Sequence, residues 1–280
     1  MNLTKRYIKK LLRIIKKPEM KVLPGNIAFF LVLSIFPIIS LCGVVANIFN
    51  VSLYSVVNFL SDILPSGVSS LLIPYISGSG LDIHIGFSIV TGYIVASNGA
   101  HSIIVSSNTL YGFPHSSYLS RRIKSLFITI LLVVLFVFTL FVLAFGNNIL
   151  KFVLSFGVFS SIGDSIYYLF LLLKWPIAII LVFIIVKLIF TLCPDSIIKS
   201  SLTNRGALFT TLGWVFSTFI YSYYVRHFSH YDIFYGSLSN IIIMMMWIYL
   251  LAISLVIGMA INVQCYKDDK NNNLDDVNNK

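Results

Sequence analysis

The sequence predicts an all-α, polytopic membrane protein, and two observations support that prediction. Hydrophobic residues make up 58% of the 280 residues and charged residues only 11%, with a mean hydropathy of +0.91. Long apolar runs also recur, each close to the ~20 residues that a helix needs to cross a ~30 Å hydrocarbon core. They lie near residues 27–48, 86–105, 126–145, 168–192, 206–225 and 238–262. Because these runs do not alternate in polarity, six transmembrane helices are expected rather than a barrel.

The chain is expected to divide into three regions. Residues 1–22 form a basic amphipathic cytoplasmic segment, residues 23–265 a six-helix membrane domain, and residues 266–280 a disordered cytoplasmic tail. The tail lacks apolar periodicity, which is typical of disorder. Within the membrane domain, 51–77 is apolar but punctuated by Pro65 and Pro74, so it predicts short helices that are either interfacial or re-entrant.

The positions of Lys and Arg predict the orientation. Cations precede the first run and recur in the second loop, the fourth loop and the tail, whereas 49–85 carries neither Lys nor Arg. Those beyond the N-terminal segment on this side are Arg121, Arg122, Lys124, Lys199, Arg205, Lys267, Lys270 and Lys280. Both termini are therefore expected to face the cytoplasm, which agrees with six crossings.

The net charge of +10 does not predict nucleic-acid binding. Much of it lies in residues 5–21, where LTKRYIKKLLRIIKK sets apolar side chains between basic ones. A basic amphipathic helix of this kind binds anionic lipid at the membrane surface. The same cations could instead serve only to fix the direction of insertion, and the two roles are compatible.

The second run carries the main candidate for a substrate path. Its polar residues recur at helical spacing: Ser88, Thr91, Asn98, Ser102 and Ser106, with His101 one turn from Asn98. Such a face is expected to point toward other helices or a watery cavity rather than lipid. Hydrogen bonding between helices is the simpler interpretation. The functional one is a substrate path lined by the second, fifth and sixth runs, with Asn98, His101 and Ser102 as lining residues.

Two further places hold candidate path residues. Lys174 lies in the fourth run, where an intramembrane lysine is either functional or reaches toward an interface. The loop YVRHFSHYDIFYGSLSN after the fifth run gathers Arg226, His230, Asp232 and Tyr235. This loop is either an interfacial aromatic belt or an outer gate at which Arg226 binds an anionic group.

Small residues form stripes on the last two runs. Gly206, Thr210, Gly213 and Ser217 recur on the fifth run, and Ser254, Gly258 and Asn262 on the sixth. Residues of this size let the backbones of two membrane helices approach closely. We therefore expect these two helices to pack against each other.

No enzymatic function is expected, and neither a catalytic residue, a metal site nor a cofactor is predicted. The ten acidic residues scatter over both predicted sides of the membrane, and their only local group lies in the tail. A nuclease needs metal-binding carboxylates or a general acid and base close to one phosphate. A phosphate-binding glycine loop that would couple ATP is also absent from the sequence.

Several segments together resemble the YihY/BrkB family of bacterial inner-membrane proteins, once mislabelled ribonuclease BN. The similarity covers about residues 4–265. It rests on IAFFLVLSIFPIIS at 27–40, SSNTLYG at 106–112, the Arg121–Arg122 pair, Cys193–Pro194, Gly206–Ala207, Trp214, YDIFYGSL, MMWIYL and GMAIN. Two places depart from the family. Its last motif usually reads Gly-Ala-Glu-x-Asn, whereas Ala260 stands here in place of the acid, and Phe113-Pro114-His115 stands where the family tends to be charged.

The resemblance implies six helices, cytoplasmic termini and a place in the bacterial cytoplasmic (inner) membrane. With the cations at both interfaces, it leads us to expect a transporter or flippase-like permease for a lipid-like or envelope-related substrate. The alternative is a non-transporting scaffold in envelope assembly. The expected partners are membrane lipids, and a second copy of the chain or an envelope protein.

Overall fold

The structure, a computed structural model, describes residues 12–48, 68–69, 83–114, 116–154, 163–227 and 235–278. Six long α-helices and no strand occur in these residues. The helices are α1 (Glu19–Ile48), α2 (Ile83–Tyr111), α3 (Tyr118–Leu154), α4 (Gly163–Leu192), α5 (Asn204–His227) and α6 (Ser239–Asn278). Short 3-10 helices at Ser200–Thr203 and Gly236–Leu238 precede α5 and α6. The prediction of an all-α protein is confirmed.

Each helix contains one of the apolar runs predicted from the sequence, apart from Leu238, which lies in the second 3-10 helix. Within the described residues, two segments are long and apolar enough to cross a membrane, judged by length and composition: Trp175–Leu192 in α4 and Ser239–Asn271 in α6. Only 17% of the first segment and 44% of the second is buried inside the protein. Most of the first segment therefore lies at the protein surface, whereas nearly half of the second is packed inside the protein.

The helices pack in chain order. Each helix lies against the next one, and α6 returns to pack against α1 and α2. The apolar core between them includes a fully buried side chain from several helices, such as Ile27 of α1, Ile104 of α2, Val186 of α4 and Met244 of α6. The core thus joins elements from the whole described part of the chain.

At one end of the bundle, the ends of helices that alternate along the chain lie close together. The last turn of α2 reaches the segment after α4, where Asn108 hydrogen-bonds to Asp195. The rings of Tyr111 on α2 and Tyr266 on α6 meet edge to face, with centroids 5.6 Å apart. We call this the cationic end, because it carries the loops that hold most of the cations beyond the N-terminal segment.

The small residues of α5 and α6 form a close helix interface, as predicted. The backbone N–H of Gly206 donates to Oδ1 of Asn262 at 2.9 Å. A Cβ atom added to Gly206 would lie 2.2 Å from the carbonyl oxygen of Gly258. Farther along, the indole N–H of Trp214 donates to the carbonyl of Leu251 at 3.0 Å. These contacts leave no open path between the two stripes.

The tail differs from its prediction. Residues 266–278 continue α6 instead of forming a disordered segment, so the expected boundary after residue 265 falls inside a helix. Tyr266 packs edge-on against Tyr111 and Phe113, and Lys199 pairs with Asp269 at 3.5 Å. These contacts with the rest of the protein hold the first turns of the polar segment, which its composition alone does not reveal.

The N-terminal region is described from residue 12. Ile14 is buried in the common core, while Lys16 and Lys17 are exposed. Ile14 thus contacts protein, while the two cations lie at the surface. The rest of the predicted amphipathic segment lies outside the described residues, as does 51–77 apart from 68–69, where Val68 is buried.

Candidate functional site

The polar residues of α2 have different surroundings. Asn98 faces α3, where its Oδ1 accepts a hydrogen bond of 2.7 Å from Nη1 of Arg122. Nη2 of the same guanidinium donates to the carbonyl of Ile94 at 2.9 Å. This pair of bonds fixes the Arg122 side chain along α2. The interpretation of the polar face as interhelical hydrogen bonding therefore holds for Asn98.

His101 lies on the same side of α2, beside the first turn of α3. Its ring meets that of Tyr118 edge to face, with centroids 5.9 Å apart. It lies next to the backbone of Arg121 and within electrostatic reach of Arg121 and Arg122. Nδ1 of His101 and Nε of Arg121 are both buried without a hydrogen-bond partner in the described structure. Two adjacent polar groups are thus left unsatisfied at this junction.

Ser102 and Ser106 are buried more deeply. Their side chains are 2% and 0% exposed, and neither hydroxyl has a hydrogen-bond partner in the described structure. Ser106 lies two turns beyond Gly99, close to the same side of the helix. A Cβ on Gly99 would lie 3.2 Å from Ser34 of α1, so this side packs closely against α1. A buried donor without a bond is costly, and the described residues supply no partner to these hydroxyls.

A second polar cluster ties three helices together at the cationic end. Asp195, just after α4, accepts hydrogen bonds at Oδ2 from Asn108 at 2.7 Å and from the hydroxyl of Ser116 at 2.9 Å. Lys124 of α3 pairs with its Oδ1 at 3.1 Å. The ammonium also donates to the carbonyls of Cys193 and Pro194 at 2.9 and 2.7 Å. We call these residues the Asp195 cluster.

The electrostatics of the Asp195 cluster favour an ionised carboxylate beside a protonated thiol. Burial acts to raise the pKa of Asp195, but the hydrogen bonds from Ser116 and Lys124 outweigh it and hold this pKa below its ordinary value. Burial raises the pKa of the neighbouring Cys193 thiol to about 12, although Lys124 acts in the opposite direction. Cys193 is consequently a poor nucleophile at neutral pH.

The remaining predicted path residues lie away from α2. Arg226 is exposed in the last turn of α5, and Tyr235 is exposed just before the 3-10 helix at Gly236–Leu238. Both lie at the end of the bundle opposite the cationic end. His230, Asp232 and the side chain of Lys174 fall outside the described residues. The structure thus brings Asn98 and His101 together with the two arginines, but it does not test the pairing of Arg226 with Asp232.

The sequence analysis missed the residues that organise the cationic end. Asn108, Ser116 and Lys124 were not singled out, and Asp195 was only counted among scattered acids. A signal was present, because Asp195 directly follows Cys193–Pro194 in a loop on the side rich in cations. An isolated acid there is a natural partner for a lysine. In the described structure, no group of three His, Cys, Asp or Glu side chains could hold a metal ion.

Comparison with known proteins gives the family. The family described as Virulence factor BrkB matches residues 12–279. The chain belongs to this family. Among its relatives, a ribonuclease-like protein of Bacillus subtilis (strain 168), YfkH, is 27% identical over 251 residues, which cover 88% of this chain and 90% of the relative. The resemblance inferred from the sequence is confirmed.

A second relative bears on the location. The UPF0761 membrane protein of Idiomarina loihiensis is 30% identical over 89 residues, or 32% of this chain and 31% of the relative. No solved structure matches the chain. The family match and the apolar helices together make this chain a membrane protein of the BrkB and UPF0761 group.

Proposed function

We propose that the protein is a transporter or flippase-like permease of the bacterial cytoplasmic membrane for a lipid-like or envelope-related substrate. It would cross the membrane six times, with both termini and the cationic end in the cytoplasm. The observation that carries the proposal is a set of buried polar atoms on α2 that have no hydrogen-bond partner among the described residues: Nδ1 of His101 and the hydroxyls of Ser102 and Ser106. Groups of this kind would be satisfied by water or by a polar substrate group passing between helices.

We propose that the substrate path follows α2, because the packing of α5 against α6 leaves no space for it between those two helices. The sequence favoured a path lined by the second, fifth and sixth runs, but Gly206 of α5 contacts Asn262 of α6 too closely to leave space. On α2, by contrast, the junction with α3 holds unsatisfied groups and cations, while Arg226 and Tyr235 would stand at the opposite mouth.

A non-transporting scaffold is the second candidate. The hydrogen bond between Asn98 and Arg122 and the close α5–α6 interface favour it, because both are the packing contacts that a static membrane assembly needs. Its partner would be a second copy of the chain or an envelope protein. The segment at residues 5–21 would rest on anionic lipid in either case.

We also propose that the chain is not an enzyme, although the relative in Bacillus subtilis is named ribonuclease-like. Asp195 is the most highly bonded carboxylate at the cationic end, and it is occupied by Lys124, Ser116 and Asn108. It is therefore a poor candidate for a general base. Purified protein should leave RNA intact with and without added magnesium.

Transport is tested with purified protein in lipid vesicles. Fluorescent lipid analogues and envelope solutes are offered, and the wild type is compared with His101→Ala, Asn98→Ala and Ile180→Ala. We expect His101→Ala to slow transport at least about tenfold at equal folded amount, a typical effect of losing a group that contacts the moving substrate. Ile180 is exposed on α4, rather than on α2 or α3, and its substitution should be neutral. Loss of transport only in proportion to loss of folded protein would favour the scaffold.

A further inference from the structure

Arg121 and Arg122 form a cationic site with no acidic partner in the described part of the chain. The ion pairs found among the described residues join Lys124 to Asp195 and Lys199 to Asp269, and neither includes the two arginines. Both side chains are partly buried. Asp195, the acid of the neighbouring cluster, is already taken by Lys124. Because partly buried charge is costly without a counter-charge, the site favours an anion from outside the chain.

The two arginines differ in how they are held. Arg122 uses two N–H groups, one on Asn98 and one on the carbonyl of Ile94, and a guanidinium carries five. Its remaining donors are thus positioned but not consumed. Arg121 has no bond from its guanidinium to the described residues, and its Nε is buried beside His101. Arg122, whose position is fixed by two hydrogen bonds, therefore lies next to Arg121, whose guanidinium makes no hydrogen bond to the described residues.

The surface beside this pair is apolar. Ile94 and Val90 of α2 are 45% and 57% exposed, and Leu119 and Ile123 of α3 are 67% and 60% exposed. The exposed side of α3 continues along the helix through Phe127, Ile130, Val134 and Phe138. From Leu119 to Phe138 this stripe runs for about 28 Å at 1.5 Å per residue, close to the ~30 Å thickness of a hydrocarbon core.

We infer that Arg121, Arg122 and His101 form a binding site for the phosphate of an anionic phospholipid, with its acyl chains lying along the exposed stripe of α3. Arginine donors suit a phosphate because they make paired, charge-assisted hydrogen bonds. The cations lie at the start of the stripe, as a headgroup must lie at the end of its acyl chains. The inference rests on the proposed function, since it names the substrate class of the same α2 site.

A purely structural role for Arg121 makes the opposite prediction for stability. If Arg121 holds the helices together, Arg121→Gln should lower the thermal unfolding midpoint in lipid-free detergent. If Arg121 awaits a lipid phosphate, removing its charge should leave that midpoint unchanged or raise it. The midpoint of the wild type should then rise on addition of phosphatidylglycerol, and that of Arg121→Gln should rise much less.

Binding is measured on the purified full chain with phosphatidylglycerol and phosphatidylcholine, by native mass spectrometry and by the shift in unfolding midpoint. We expect the wild type to prefer phosphatidylglycerol, and Arg121→Gln to bind it about tenfold more weakly, as loss of a charge-assisted pair implies. Arg121→Lys should restore part of the binding. Arg205→Gln is the matched control, because Arg205 is an exposed cation at the same end.

The inference is overturned if Arg121→Gln destabilises the lipid-free protein, if it binds phosphatidylglycerol as the wild type does, or if Arg205→Gln loses as much binding. It is also overturned if inorganic phosphate gives the same midpoint shift as the lipid. Failure of the proposed function would look different, since lipid binding would depend on Arg121 while no lipid moves across vesicles. If Arg121→Gln still transports lipid and still binds phosphatidylglycerol as the wild type does, the headgroup site is rejected while the proposed function stands.

Discussion

At the scale of single residues, Asp195 shows how one carboxylate fixes three helix ends. It follows the last turn of α4, pairs with Lys124 from α3 and bonds to Asn108 from α2. Asn108 also accepts the backbone N–H of Asp195 at 2.8 Å, so the two residues bond reciprocally. Since the side chain of Asp195 is only 13% exposed, this cluster is screened by solvent less than an ordinary surface ion pair.

We predict that Asp195→Asn lowers the stability of the protein by about 1–3 kcal/mol at neutral pH, the range for leaving buried charged partners unsatisfied. Asp269→Asn is the matched control, because the Lys199–Asp269 pair is longer, at 3.5 Å, and more exposed. Its loss should cost about 0–1 kcal/mol. Thermal unfolding in detergent measures both, and equal losses would contradict the assignment of Asp195.

The lowered pKa of Asp195 adds a pH dependence with a definite sign. A carboxyl whose pKa is lower in the folded than in the unfolded state adds stability above the unfolded value and loses it as the pH falls through the folded value. The pKa of Asp195 is lowered in the fold, against about 3.9 when unfolded. The wild-type unfolding midpoint should therefore fall below about pH 4 more steeply than that of Asp195→Asn. If the unfolding midpoints of the wild type and Asp195→Asn fall in parallel as the pH is lowered, the lowered pKa of Asp195 is contradicted.

At the scale of elements, α5 and α6 form a close helix pair. Gly206 and Gly258 bring the two backbones together, and Thr210 donates to the carbonyl of Ser254 at 3.3 Å. Toward the other end, the hydroxyl of Tyr221 donates to the carbonyl of Ile243 at 3.0 Å. Contacts therefore run along most of α5, and these two helices are expected to move as one unit.

We predict that Gly206→Ala destabilises the protein by about 1–3 kcal/mol, the usual cost of overpacking. The added methyl would lie 2.2 Å from the backbone carbonyl of Gly258, which cannot move aside as a flexible side chain could. Gly25→Ala is the control, because a Cβ there meets nothing within 4 Å. Folded yield and thermal unfolding measure the difference, and a neutral Gly206→Ala would contradict the close interface.

Sequence patterns predicted the helices and the α5–α6 interface because both depend on local spacing. Apolar runs set helix positions, and small residues four apart mark a close face wherever the partner lies. The Asp195 cluster could not be predicted, since Asn108 and Asp195 are 87 residues apart in the chain and only the fold brings them together. The helical structure of the tail could not be predicted for a related reason, because Tyr266 packs against Tyr111 from another helix.

The polar face of α2 illustrates the limit within one helix. Its spacing predicted that the residues point inward, but spacing could not separate Asn98, which bonds to Arg122, from His101, whose Nδ1 finds no bond in the described structure. That distinction depends on which side chains of α3 stand opposite. The same distinction separates a polar residue that only joins two helices from one that could bind a substrate.

At the scale of the whole molecule, the proposed topology and the leaflet of the headgroup site both depend on which side of the membrane the cationic end faces. Sequence neighbours pack in order around the bundle, so successive helices run in opposite directions and the loops alternate between two ends. Arg121 and Lys124 at the start of α3 and Lys199 before α5 lie at one end, and residues 235–238 just before α6 lie at the other. From the positive-inside rule we predict that the first end faces the cytoplasm. The headgroup site would then lie in the inner leaflet.

Cysteine labelling tests this claim most directly. All three native cysteines are replaced, and single cysteines are introduced by Ile197→Cys at the cationic end and Leu238→Cys at the opposite end. Both positions are exposed, at 100% and 57%. A membrane-impermeant thiol reagent should label Leu238→Cys in intact spheroplasts, and Ile197→Cys only after the membrane is opened. Labelling of Ile197→Cys in sealed spheroplasts, or of both positions equally, would contradict the six-span topology and the inner-leaflet site.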